Sequence, residues 1–231
     1  MKDYLLPPEL IEQARKVVEA NRSAGKRISV AESCTGGLVS AAITEIAGSS
    51  DVFEAGYVTY SNAAKIADLH VSQEVVETFG AVSIATAWAM ARGALQASEA
   101  DIAVAITGIA GPGGGSASKP VGTVVFARAE RGKDPSQIVA DQKFFDEPNR
   151  AGVRLQAALC ALELLMPESA AARSSNALVM RLKARSNIWP ARASKIRERK
   201  AKSTEKHRLV PPSVVGSNLH SLWRYFSGPS T

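Results

Sequence analysis

The chain has 231 residues, 45% hydrophobic and 22% charged, the balance of an ordinary globular protein with room for a sizeable core. Two cysteines exclude a disulfide scaffold or a four-cysteine zinc site, His70, His207 and His220 lie too far apart to cluster, and no apolar run reaches the roughly 18 residues of a membrane span. The net charge of +6 hides a step: residues 1–167 hold 15 Lys+Arg and 19 Asp+Glu, whereas residues 168–231 hold 13 and 3. Such an asymmetry marks a boundary between a folded body, 1–167, and a basic extension, 168–231, that is expected to be disordered. The start lacks the apolar stretch of a secretory signal, so a cytoplasmic protein is expected.

Pro7-Pro8 opens a first helix, along which Leu10, Ile11, Ala14, Val17 and Val18 recur at helical spacing. Residues 27–31 are short and β-branched and read as a strand. The turn Glu32-Ser33-Cys34-Thr35-Gly36-Gly37 leads into an apolar helix over 38–46. A second strand is expected over 55–60, with Ser61-Asn62 capping a short helix to about Leu69. Another helix fits 72–79. Ile84, Ala87, Trp88, Ala91, Ala94 and Leu95 mark one face of an amphipathic helix. Residues 101–106 form an apolar strand covered on both faces. A glycine-rich loop over 107–115 follows, then two adjacent strands over 122–129 and 136–145. Asn149 caps a last helix with Leu155, Ala158, Leu159, Leu162 and Leu165 inward. The order α-β-α-β-α-α-α-β-β-β-α predicts an α/β protein of three layers, α/β/α, with a mixed, mostly parallel sheet.

Four features can carry chemistry. Ser33 stands between a buried strand and a helix, at the sheet edge where α/β proteins bind ligands. It reads either as a nucleophile beside helix amides that face an oxyanion, or as a helix cap. Cys34 is an alternative nucleophile or a small buried hydrophobe. Lys65 lies in the opening turns of a helix, where the macrodipole and desolvation lower a lysine's pKa. A neutral lysine serves a serine as general base, and a solvated surface lysine is the alternative. Tyr60 ends the preceding strand and either enters the same pocket or packs. The loop 107–115 lacks both the P-loop and the dinucleotide spacing, so it is an anion cradle or a plain mobile loop. Arg150, in the first turn of the last helix, and Arg154, one turn on, form either a phosphate clamp or two exposed arginines. The residues offer no histidine triad and no metal ligand set.

Taken together, Ala31-Glu32-Ser33-Cys34-Thr35-Gly36-Gly37, Tyr57-Val58-Thr59-Tyr60-Ser61-Asn62-Ala63-Ala64-Lys65, Gly80-Ala81-Val82-Ser83, Thr107-Gly108-Ile109-Ala110-Gly111-Pro112-Gly113-Gly114 and Lys119-Pro120-Val121-Gly122-Thr123-Val124 are specific. They resemble the CinA C-terminal domain family over about residues 8–166. The resemblance implies a nicotinamide-nucleotide amidohydrolase that converts nicotinamide mononucleotide to nicotinate mononucleotide and ammonia. It implies Ser33 as nucleophile, Lys65 as neutral base and Tyr60 as orienting or relaying group. Amides near Ser33 and around Gly108 would hold the oxyanion. Thr35, Gly36, Asn62, Thr107, Gly108, Gly111, Gly113 and Arg150 would line the nucleotide. No cofactor or metal is expected, and a homodimer is.

Three departures stand out. Glu147-Pro148-Asn149-Arg150 replaces the family's common Gly-Asp-Arg. The molybdopterin-type N-terminal domain of longer members, with its pyrophosphatase activity, has no counterpart. The extension after Pro167 matches nothing in the family. The rival reading is a non-catalytic protein linked to competence or DNA damage, binding nucleic acid through that extension's Arg/Lys run and its Trp223, Tyr225 and Phe226.

Overall fold

A computed structural model describes residues 4–147 and 149–167. The expected basic extension, 168–231, lies outside the described residues. Helix α1 (Pro8–Ala24) begins on Pro8 and ends at Gly25, whose left-handed φ of 61° closes the helix with hydrogen bonds to the Arg22 and Asn21 carbonyls. Next come β1 (Ile28–Glu32), α2 (Leu38–Thr44), β2 (Phe53–Val58), α3 (Asn62–Leu69), α4 (Gln73–Phe79), α5 (Ile84–Gln96), β3 (Ile102–Gly108), β4 (Thr123–Glu130), β5 (Val139–Phe144) and α6 (Arg150–Leu164), with two short 3-10 turns between them. The expected order of helices and strands holds; β2 starts two residues earlier and ends two residues sooner than its β-branched pattern suggests.

The five strands lie in the order β2-β1-β3-β4-β5. β1 pairs in parallel with both β2 and β3, while β4 is antiparallel to β3 and to β5. β4 alone therefore runs against the rest. Helices α1, α2 and α6 pack on one another over one face, and α5 covers the other with α3 and α4 against it. The three-layer α/β/α architecture follows from hydrophobic pattern: β1 and all but the last residue of β3 are buried on both faces, whereas β2 and β5 are half-exposed edges.

The stripe expected for α5 is corrected in part. Ala87, Ala91 and Ala94 are buried, but Ile84 is exposed, and Thr86, Met90 and Gly93 take the remaining buried places. This helix lies flat across β1, β3, β4 and β5, so small residues fill most of the contact, with Met90 the large side chain among them. Gly93 is needed there, because a Cβ would collide with the Leu69 carbonyl at the end of α3. In α6, Val153, Ala157 and Ala161 join Ala158, Leu162 and Leu165 inside, while Leu155 and Leu159 are half-buried.

The topology gathers one edge of the sheet for function. β1, β2 and β3 all end there, β4 begins there opposite the end of β5, and α6 starts just beyond. From β1 the chain steps to one neighbour, and β3 returns on its other side. A crevice at such a reversal is where open α/β sheets hold ligands.

Candidate active site

Ser33 is the first residue past β1. Its amide donates to the Ile106 carbonyl of β3 at 2.9 Å, which fixes the residue at the sheet edge. Gly36 and Gly37 follow with φ of 60° and 91°, a left-handed pair that turns the chain sharply into α2. No side chain at Gly37 can cap α2, and Ser33 does not reach it either. Glu32 takes that role: its wholly buried carboxylate accepts from the amides of Gly37, Val39 and Ser40 at 3.0, 3.2 and 2.9 Å and from the Ser40 hydroxyl at 2.8 Å. A carboxylate at a helix N-terminus is favoured by the macrodipole, and here it also frees the Ser33 hydroxyl.

That hydroxyl meets Lys65. Ser61 caps α3 by accepting from the Ala64 amide, and Lys65 sits one turn in, 1% exposed, with no carboxylate in ion-pair contact among the described residues. Its Nζ lies 3.0 Å from Ser33 Oγ, 2.8 Å from the Thr59 carbonyl and 3.3 Å from the Tyr60 carbonyl. Burial pushes the Lys65 amine below the usual lysine range, with the Cys34 sulfur opposing weakly. A neutral amine has two N–H donors and one lone pair. In the neutral form, with two N–H groups on the carbonyls, the lone pair would be left for the Ser33 hydroxyl, the arrangement of a general base on a nucleophile.

The alternatives around this pair separate cleanly. Cys34 is buried, and burial pushes its thiol up to about 11, which favours the small-hydrophobe reading over the nucleophile. Tyr60 is 61% exposed, and its hydroxyl accepts from Arg150 Nη2 at 3.1 Å rather than touching Ser33 or Lys65. It contributes to the pair through its carbonyl. Because the Ser33 amide is committed to Ile106, it is no oxyanion donor; the Thr35 amide has no main-chain acceptor among the described residues.

The expected lining residues fall into two groups. Arg150 stands in the first turn of α6, whose cap is Asn149, and its Nη1 donates to the Gly111 carbonyl at 2.8 Å. Gly36, Asn62 and Gly113 are exposed, and a side chain at Gly113 would meet open space. Thr35 and Thr107 are instead buried: the Thr35 hydroxyl has no partner among the described residues, and Thr107 Oγ1 donates to the Ala81 carbonyl at 2.8 Å. Gly108 is packed so tightly on β4 that a Cβ would press on Val124 and the Thr123 carbonyl. The paired arginines also part company. Arg154 Nη2 donates to the Thr35 carbonyl at 2.7 Å, bracing the Ser33 turn from α6, and leaves Arg150 as the outward cation.

Two participants escaped the sequence. Glu32 carried a signal, an acid closing an apolar strand just before a helix. The Thr59 carbonyl had none, since main-chain acceptors leave no mark in residue type.

The model of the CinA C-terminal domain matches residues 11–168. The chain belongs to the CinA C-terminal domain family. It is 50% identical over 159 residues to the nicotinamide-nucleotide amidohydrolase PncC of Enterobacter agglomerans, covering 69% of this chain and 94% of that protein. The PncC of Escherichia coli K12 is 48% identical over 158 residues, covering 68% and 93%. Among solved structures, the competence/damage inducible protein of Agrobacterium tumefaciens superposes with a TM-score of 0.67 at 48% identity, covering 70% and 96%. With relatives of that kind matched over nearly their whole length, the chain is an amidohydrolase.

Proposed function

We propose that the chain hydrolyses the carboxamide of nicotinamide mononucleotide by a Ser-Lys mechanism. One observation carries this reading: a buried lysine, with no carboxylate in ion-pair contact among the described residues, stands 3.0 Å from a serine hydroxyl and contacts two carbonyls. The relatives named PncC support the nucleotide as substrate. Ser33 Oγ attacks the carboxamide carbon while Lys65 takes the hydroxyl proton. Collapse of the tetrahedral intermediate breaks the C–N bond, and Lys65 delivers that proton to the departing ammonia. A water then attacks the acyl ester, passing a proton through Lys65 back to Ser33 Oγ, and nicotinate mononucleotide leaves. The Thr35 amide is the oxyanion donor in this scheme, and Arg150 with the 109–122 loop receives the phosphate. A homodimer and a cytoplasmic setting belong to the same reading.

Ammonia release from nicotinamide mononucleotide by the full chain tests it. Ser33→Ala and Lys65→Ala should each lower kcat on the order of a thousandfold or more while leaving the fold intact. An inactive parent chain, or variants that match it, would discard the assignment.

A further inference from the structure

The glycine-rich loop between β3 and β4 has a base and a tip held in different ways. At the base, the Ile109 amide donates to the Thr123 carbonyl and the Gly122 amide to the Ile109 carbonyl, both at 2.8 Å. Toward the tip, Ser116 and Lys119 close a small turn, the Ser116 amide on the Lys119 carbonyl at 2.8 Å and the Lys119 amide on Ser116 Oγ at 3.1 Å. Residues 112–118 between them are exposed. Glycine-rich backbone loses much entropy when it is ordered, so a loop of this kind needs an anchor to present a fixed shape.

The anchor lies on the segment joining α4 to α5. Four consecutive carbonyls there each accept a side-chain donor. Lys119 Nζ donates to Phe79 at 3.2 Å and to Val82 at 2.7 Å; Ser83 and Thr86 hydroxyls donate to Gly80 at 2.9 and 2.7 Å; Thr107 donates to Ala81 at 2.8 Å. Lys119 has no carboxylate in ion-pair contact among the described residues. Its cation is spent on the end of α4, where the macrodipole favours it. The loop's second tie is Arg150 on Gly111. If Arg150 swings to a substrate phosphate, that tie is released, and Lys119 is the side chain that still fastens the loop to the body.

We propose that Lys119 is a positioning residue, pinning the 109–122 loop onto the 79–82 carbonyls so that the nucleotide's phosphate end meets a loop already formed. The proposal rests on the amidohydrolase reading above for its ligand, but not for the anchoring. Lys119→Met keeps the stem without the charge, Lys119→Ala removes both, and Lys119→Arg restores a cation.

With nicotinamide mononucleotide and the full chain, the Met and Ala variants should raise KM about tenfold, the worth of one or two hydrogen bonds to a charged group, with kcat within about twofold. The Arg variant should recover at least half of the loss. Brief subtilisin digestion without substrate, read by mass spectrometry, should cut within residues 112–118 several times faster in the Met and Ala variants than in the parent. Unchanged KM in an active parent's Met and Ala variants, a fall confined to kcat, or no rescue by Arg would overturn the positioning role. Should the parent chain release no ammonia, the mononucleotide reading fails; equal subtilisin rates would then overturn the anchoring on their own.

Discussion

The two ends of one sheet treat charge in opposite ways. At the end where β3 starts, Asp101 accepts from the Arg27 amide at 2.8 Å and from Lys26 Nζ at 3.0 Å, and Arg131 donates to the Ala100, Leu95 and Ser98 carbonyls. Arg27 pairs with Glu54 at the same end. These groups are partly exposed and paired, which holds the strands and the end of α5 together. At the other end a lysine is buried with only carbonyls and a serine hydroxyl for company, and the Thr35 and Thr59 hydroxyls have no partner among the described residues. One end ties its charges into pairs; the other keeps an amine buried with no carboxylate in ion-pair contact among the described residues.

The contrast is sharpened first at Lys65. Burial lowers its pKa, so the amine proposed as base reaches its neutral form at lower pH than a solvated lysine would. Activity should rise with pH through that lowered value and level off above it. Lys65→Arg, which stays protonated, should cost about 10²–10⁴-fold across the whole profile and remove the rising limb. A parent rate that is flat from pH 6 to 10 would break the comparison at its centre.

Glu32 is the next test, because it is a buried charge at the functional end that is fully satisfied. Glu32→Gln puts an amide N–H₂ where four donors converge and should lower stability by about 2–3 kcal/mol by urea titration, with activity falling as the Ser33 turn loosens. Asp101→Asn at the opposite end should cost only about 1 kcal/mol at pH 7 and leave the rate of catalysis unchanged. Partial burial alone would raise the Asp101 carboxyl, but the Arg27 amide and Lys26 outweigh it and hold the group below the usual carboxylate range. Its contribution is therefore complete above the unfolded pKa and fades as pH falls through the lower folded value. A stability gap between the parent and the Asp101→Asn variant at pH 7 that closes in acid is the expected signature.

Much of this was legible in the chain. Among the described residues, periodicity and turn chemistry placed the order of helices and strands, since Pro8, Ser61 and Asn149 each mark a helix start by a local physical rule. Ser33 and Lys65 stood out because a strand end and a helix start are where such residues act. What stayed hidden depended on long-range packing. The inward face of α5 is chosen by the flat sheet beneath it. The parting of Arg150 from Arg154 is decided by the Thr35 carbonyl, more than a hundred residues away. The Lys119 anchor joins two motifs whose meeting no local pattern announces.

The carbonyls of Thr59 and Tyr60 that receive Lys65 belong to the main chain, and this changes which variations the protein tolerates. Side chains at 59 and 60 can differ without removing either acceptor. A single residue inserted or deleted between the end of β2 and the Ser61 cap would rotate both carbonyls away and leave the amine pointing nowhere in particular. Here the length of the connection constrains the site more strictly than the identity of its side chains.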